Sequence, residues 1–554
     1  MIESREIRTG KFYYNSLFMD YIFDFKKISN FYRYDYRDIE SYKKRVFDLE
    51  ADYDEKNRVK ICSILENYNK NIGCGKKTLE NIDKLKSKKS VVVIGGQQPG
   101  LMTGPLFMIF KIMTILKLSN FLQKELEMPV IPCFWNASDD DSADQVDNLN
   151  ITNGEISNIK LDLSGFDRRT RYSDINLTED RFRDVIEKLA DILYPTGFKP
   201  GIIDFLKNSL SDIMKNCSND GSRINIATFF SGLVTRMFSE QGLVLVDPAN
   251  TDLKKLTQDL LEFDVSNHEK INFLINSTGK KLNGSGYHSQ LNSIGEILDF
   301  FYCKDGVRKR IYPDNNDSFK IGSKIYNKKE FWDLIESSPA GISLNVVLRP
   351  LLQDSLLPVL SSICGPGEIS YFAQIKPVYD LYGLKMPIIY PRFSATIIEK
   401  KINKLLKKLK ITDKMLVSDE EEIIKQIIRK KLDIDPEESM LDLEKDISER
   451  LAESEKVFLD IEMNISDSFD RIKRNLKKEI KVLSKKLYSG LKKQDEFVLG
   501  SIKKVYASIF PGGNLQEREI NIFSYLNKYG FEFLDDIGSA VRPLDFSHKF
   551  LEII

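Results

Sequence analysis

Hydrophobic and polar positions alternate in three textures along the chain, and each texture predicts a different kind of element. Between residues 91 and 135, two short apolar runs stand out, Val91-Val92-Val93-Ile94 and Val130-Ile131-Pro132-Cys133-Phe134-Trp135. Runs of this length without polar alternation are what strands buried on both faces look like. Between them, Leu106 to Leu122 is apolar at helical spacing, with Pro105 placed for a first helical turn. Strand, Gly-rich loop, helix and strand make one βαβ unit. Leu243-Val244-Leu245-Val246 and Ile388-Ile389-Tyr390-Pro391 read as further strands, each stopped by a proline turn. The opening hundred residues read as aromatic-rich helical segments. Residues 151–340 are mixed, and a dense Lys and Asn pattern from 304 to 329 predicts surface hairpins or loops inserted into the core.

After Ala395 the texture becomes rich in Lys, Glu, Leu and Ile, with no glycine until Gly490. Apolar residues fall at Ile465, Phe469, Ile472, Leu476, Ile480, Leu483, Leu487 and Leu491, and again at Val498, Ile502, Val505 and Ile509. Steps of three and four trace one helical stripe, with stutters in the heptad where two fours follow each other. A helix of about 55 residues is about 80 Å long. It cannot bury its stripe alone, so the spacing predicts packing against the 397–432 segment, a second copy of the chain, or both. Pro511-Gly512-Gly513 ends the helix, and the tail is expected to return to the core.

Composition narrows the function classes. A chain of 554 residues exceeds one simple core, so two or three domains are expected. Lys plus Arg equals Asp plus Glu at 82 each, which leaves no electrostatic footprint for nucleic acid or an anionic membrane. No stretch reaches the roughly 18 uncharged apolar residues of a membrane span. Six scattered cysteines without a Cys-x-x-Cys pair point to reduced thiols in a cytosol. Cys133 and Cys364 have no histidine nearby in sequence and read as small buried hydrophobes. With only His268, His288 and His548 in the chain, no metal site is assigned.

Four places could carry chemistry. The first is the loop Gly95 to Gly104, with Gly96, Gln97, Gln98, Gly100, Thr103 and Gly104. Glycines allow close backbone approach, and free N–H groups at a helix start favour an anion. The loop matches neither the dinucleotide fingerprint nor the Walker pattern, and a plain strand-to-helix turn would read the same way. The second is Trp135-Asn136 followed by Asp139, Asp140 and Asp141 past a strand end, where open α/β sheets bind ligands. Such acids can hold Mg²⁺, bind an amine or take a proton, or form a solvated loop. The third is Arg349 with Gln353, then Gly365-Pro366-Gly367-Glu368, Tyr371 and Gln374. Arg349 suits a carboxylate fork, and Glu368 opens a helix on which Tyr371 and Gln374 share a face. The fourth is Arg392 and Ser394 at another strand end.

Together these pieces resemble the bacillithiol biosynthesis cysteine-adding enzymes. The resemblance rests on Gly96-Gln97-Gln98-Pro99-Gly100 with Thr103-Gly104-Pro105, on Phe134-Trp135 and the acids, and on Gly286-Tyr287-His288. It continues through Leu348-Arg349-Pro350 to Gln353-Asp354, Gly365-Pro366-Gly367-Glu368-Ile369-Ser370-Tyr371, Pro391-Arg392-Phe393-Ser394 and Phe510-Pro511-Gly512-Gly513 with Leu515-Gln516-Glu517-Arg518. It implies an α/β fold: a Rossmann-like parallel-sheet core with inserted segments and a long C-terminal α-helical coiled-coil arm used for dimerisation. The expected parts are 1–150 (N-terminal helices and the first part of the core), 151–340 (core with insertions), 341–396 (core with site motifs), 397–510 (arm) and 511–554 (return to the core). The implied reaction joins the cysteine carboxyl to the amine of glucosaminyl-malate in the cytoplasm. ATP is expected by analogy, to activate the acid through an acyl-adenylate or acyl-phosphate.

In that scheme the Gly95–Gly104 loop holds phosphate or the malyl carboxylate, and Arg349 or Arg392 holds a second anion. Asp139, Asp140 and Asp141 position the amine or a metal, and Glu368 and Tyr371 line the pocket, with His288 among the binding residues. The family usually reads Glu-Asp-His-Asp after the tryptophan strand. Here the residues are Asp139-Asp140-Asp141-Ser142, so a carboxylate stands where the family has an imidazole that titrates near neutrality. Cys364 likewise replaces a family glycine. Two alternatives remain beside the cysteine ligase: a related ligase or nucleotidyl transferase using another acid and amine, and an inactive coiled-coil scaffold.

Overall fold

A computed structural model describes residues 2–7, 15–218, 222–292, 297–314, 317–432, 436–459, 466–494 and 496–554. Two compact units emerge, one made of residues 1–397 with 514–552, the other of residues 398–513.

In chain order the strands used below are β1 Ile2–Ile7, β2 Val91–Gln97, β3 Val130–Asn136, β4 Val244–Val246, β5 Phe300–Lys304, β6 Val307–Asp314, β7 Ser318–Ile321, β8 Lys324–Asn327, β9 Ile342–Leu344, β10 Val359–Cys364, β11 Ile388–Pro391, β12 Ala395–Ile398 and β13 His548–Ile553. The helices are α1 Leu106–Glu125, α2 Thr251–Lys254, α3 Leu348–Leu356, α4 Pro366–Leu381, α5 Lys400–Lys408, α6 Glu420–Leu432, α7 Pro436–Leu459, α8 Ser466–Gln494 and α9 Glu496–Ile509.

The core sheet runs β11-β10-β2-β3-β4, and every pairing in it is parallel. Taken in chain order its five strands lie 5-4-1-2-3, the Rossmann arrangement read from the other edge. Its β-branched runs fill both faces because successive side chains on a strand point to opposite sides. Val92 and Ile94 pack with Ile131, Cys133 and Trp135 against Ile61, Leu65, Ile82 and Leu85 of two N-terminal helices. On the other face, Gly95 lets α1 come close: a Cβ there would lie 3.0 Å from the Ile115 side chain and 3.2 Å from Ile363. Among the described residues α1 alone is long and apolar enough to pass for a membrane span, and it is mostly buried in the protein core.

The Lys- and Asn-rich stretch forms an antiparallel sheet, β8-β7-β6-β5-β9, inserted before β10. It is not merely a surface feature, since Arg308 on β6 is buried. The tail returns to the first unit, where β13 lies between β1 and β12.

In the second unit α8 and α9 carry the long stripe on either side of residue 495, which lies outside the described residues, and α7 precedes them as a further helical partner. Helix α7 packs on α8, while α5 and α6 pack on α9. Phe458 faces Phe469, Glu455 bonds Lys473 at 2.6 Å, and Glu444 meets Lys477 at 3.4 Å, so α7 and α8 run antiparallel. Phe469, Ile480, Ile502, Val505 and Ile509 are buried, whereas Ile472, Leu483 and Leu487 stay exposed. Ile465 and the side chain of Leu491 lie outside the described residues.

Candidate functional site

The strand order reverses between β2 and β10, and a cavity of about 410 Å³ opens at the carboxyl ends of the strands there. This is where open α/β sheets place ligands. Gly96, Gln97 and Gln98 enter from the end of β2, Trp135, Ala137, Asp139 and Asp140 from the end of β3, and Glu368 and Tyr371 from α4. Arg349 comes from α3, and the inserted sheet with the segment after it adds Phe301, Arg308, Leu344, Asn345 and Val346.

Each acid on this cavity has its own cation. Arg308 Nη1 donates to Asp140 at 2.6 Å and to Asp141 at 2.9 Å, while its guanidinium lies over the Phe301 ring. Gln98 Nε2 also donates to Asp140, at 2.8 Å. Lys254 at the end of α2 sits 3.5 Å from Asp139 and donates to the Ile342 carbonyl. Burial lowers the Lys254 pKa, and burial raises that of the neighbouring Asp247, which accepts a hydrogen bond from Ser138. Glu368 accepts from Lys111 Nζ at 2.6 Å and from the Gly365 N–H at 2.7 Å.

Arg349 is different. Its Nη2 donates to Tyr371 Oη at 2.7 Å, and it forms no ion pair among the described residues. Desolvation opposes its charge, but its pKa is still raised, by Tyr371 and Glu368 nearby. The cavity therefore offers one guanidinium without a carboxylate beside acids that an amine can approach. A ligand bearing both an anion and an amine matches that pattern.

Other sequence candidates lie elsewhere. Gly100, Thr103 and Gly104 form a tight turn with Thr103 at φ 74° and Gly104 at φ 69°, and Asn521 Nδ2 clamps the Met102 and Gly104 carbonyls at 2.7 and 2.6 Å. Only the first part of the Gly95–Gly104 loop reaches the cavity. Asn136 donates to the Ala227 carbonyl and Ser231. Gln353 bonds Asp354 and Ser362 within the core. Gln374 holds the backbone of Gln290 and Leu291 and the Ser289 hydroxyl, and His288 is exposed and bonded to Gln290. Gly367 is exposed at the start of α4.

Arg392 is not available as an anion holder. Its Nη2 meets Glu517 at 2.6 Å, and Glu517 is fully buried. Ser394 donates to Glu517 at 2.9 Å and contacts His548 Nδ1 at 2.8 Å, while His548 Nε2 meets Thr396 at 2.9 Å. This set ties the returning tail to the core. Asp141 does not line the cavity; it faces Arg308. All six cysteines are free, and burial pushes the Cys133 and Cys364 thiols up, away from nucleophilic use.

Sequence reasoning missed Arg308, Lys111 and Lys254. Lys111 had a signal: it is the one charge in Met108-Ile109-Phe110-Lys111-Ile112-Met113, a run otherwise apolar. Arg308 had none, because it sits among many surface cations.

A doubly wound parallel sheet with a charged cavity at its switch point, followed by a helical hairpin unit, defines a Rossmann-like protein with a coiled-coil domain. The comparisons identify the family. Residues 2–393 match the family described as "Bacillithiol biosynthesis BshC, N-terminal Rossmann-like domain", and residues 395–553 match "Bacillithiol biosynthesis BshC, C-terminal coiled-coil domain". The chain belongs to this family. Similar proteins named "Putative cysteine ligase BshC" include one from Desulforamulus reducens, 30% identical over 96% of both chains. Others are from Salinibacter ruber, 29% identical over 96% of this chain and 95% of the relative, and Geobacillus thermodenitrificans, 28% identical over 93% and 94%.

Proposed function

We propose that this chain is a cytosolic ligase that joins the carboxyl of cysteine to the amine of glucosaminyl-malate. The observation that carries the reading is Arg349, a guanidinium without a carboxylate partner among the described residues, in a cavity that also presents Asp139 and Asp140. Arg349 would hold a malyl carboxylate, with Tyr371 fixing the guanidinium. Asp139 would receive the amine and accept a proton from it. The amides of Gln97 and Gln98 would orient the sugar.

Amide synthesis from a free acid is uphill in water, so the reading requires ATP as co-substrate, through an acyl-adenylate or acyl-phosphate. Among the described residues no cluster of three or more acids, histidines or cysteines could hold a metal. Any Mg²⁺ would therefore come mainly bound to nucleotide phosphates. The exposed Ile472, Leu483 and Leu487 on α8, with Leu441, Val457 and Phe458 on α7, favour a homodimer through this unit.

Pairing of Asp141 with Arg308, where the family has a histidine, favours a second reading: a related ligase acting on another acid and amine. Incubation with ATP, cysteine and glucosaminyl-malate, read by mass spectrometry, separates the two. Condensed thiol, lost in Arg349→Met, supports the first reading. Turnover only with other pairs supports the second, and neither ATP binding nor turnover would leave a scaffold.

A further inference from the structure

Lys111 lies in the second turn of α1, 1% exposed, and does not line the cavity. Its ammonium has three N–H donors and three acceptors: the Gly96 carbonyl at 2.7 Å, Gln97 Oε1 at 3.2 Å and Glu368 Oε2 at 2.6 Å. Two of these acceptors belong to the last two residues of β2 and one to the first turn of α4. A single buried charge thus joins two of the segments that build the cavity.

Arg349 sits against the same two segments. A Cβ on Gly96 would lie 3.5 Å from Arg349 Nη1, and Tyr371, one turn beyond Glu368, accepts from Arg349 Nη2. Glu368 lines the same cavity as Arg349, and its negative charge helps to raise the Arg349 pKa. What prevents their pairing is the hold on Glu368 Oε2 by Lys111 and by the Gly365 N–H.

We propose that Lys111 is a positioning residue that keeps Arg349 open to a substrate anion, by retaining the Glu368 carboxylate in an ion pair of its own. Without Lys111 the carboxylate turns to the guanidinium and fills the place of the ligand's own anion. The proposal rests on the reading of Arg349 as the anion holder, and it makes Glu368 the internal competitor of a dicarboxylate.

The test is binding of L-malate to the full-length protein, followed by calorimetry. Arg349→Met tests the underlying reading and should abolish binding. Lys111→Met should raise the Kd at least 10-fold although Lys111 is out of reach of the ligand. Glu368→Gln should bind at least as tightly as wild type, because the competing charge is gone. The decisive variant is Lys111→Met with Glu368→Gln, expected within about threefold of Glu368→Gln alone. A merely structural role for Lys111 would not be rescued by removing the acid. If Arg349→Met loses binding while Lys111→Met keeps it, or if the double variant stays as weak as Lys111→Met with near-UV circular dichroism intact, the proposal is overturned. If Arg349→Met binds malate normally, the underlying reading fails as well.

Discussion

Arg392→Met should destabilise the protein severely while leaving ligand binding almost untouched. Arg392 and Arg349 look alike in sequence, each an arginine beside a proline. The structure separates them. Glu517 has no exposed surface and accepts from Arg392 Nη2 at 2.6 Å, Ser394 Oγ at 2.9 Å and the Ala395 N–H at 3.1 Å. Removing the guanidinium costs one charge-assisted bond, about 1.5–3 kcal/mol, and strands a buried charge. The total should fall near 3–5 kcal/mol, the usual cost of breaking a buried pair from one side. The stranded carboxylate can escape by taking a proton. Its pKa in the folded variant then lies above the unfolded value, so the loss relative to wild type should shrink as the pH falls from 7 to 5. The assay is the denaturant midpoint at both pH values, with limited proteolysis of the C-terminal segment as a local probe. A loss below about 1 kcal/mol, or malate affinity falling more than stability, would refute the argument that Arg392 is structural.

Acidification should weaken the same tail through His548, whose pKa is lowered to about 4 by burial. The folded value lies below the unfolded one, so this stability is complete above about pH 6.5 and is lost as the pH falls towards 4, by roughly 3 kcal/mol. Asp299 and Asp354, raised to about 6 by burial, act in the opposite sense over about pH 4 to 6. The comparison must therefore be with His548→Gln, whose denaturant midpoint should fall less steeply between pH 7 and 4.5; equal slopes would count against the assignment. Gly100→Ala should destabilise by several kcal/mol, since its Cβ would lie 2.7 Å from the Gly104 Cα in a turn that cannot yield, and an unchanged melting temperature would show that it can. Arg308→Met should release the inserted sheet from the Asp140–Asp141 pair, seen as faster amide exchange in β5 and β6; protection equal to wild type would mean that packing alone holds the sheet.

Much of the fold was legible because its strands are buried on both faces. Val91 to Ile94, Val130 to Trp135 and Ile388 to Pro391 had no polar alternation to confuse them, and each became a parallel strand. The arm was legible as helix but not as a hairpin. A stripe on α8 records that a partner exists, and says nothing about whether it is α7, α5 or another copy. Site residues divided along the same line. Asp139, Asp140, Glu368, Arg349 and Tyr371 reached the cavity because strand ends and the helix turns beside them are where the topology gathers groups. Gln374, Gln353 and Arg392 carry the same chemistry at similar positions, but their partners come from residues 289–291, Asp354 and Glu517, distant or unremarkable in sequence. A polar residue in a motif reports that its group is needed, and the fold decides whether a ligand or the protein itself is the partner. Lys111 carries the point furthest. An apolar helix tolerates one buried ammonium only if every N–H finds an acceptor, so its presence in α1 already implied acceptors brought in from other segments. Two of those proved to lie at the end of β2, and the third is the acid that lines the cavity with the open arginine.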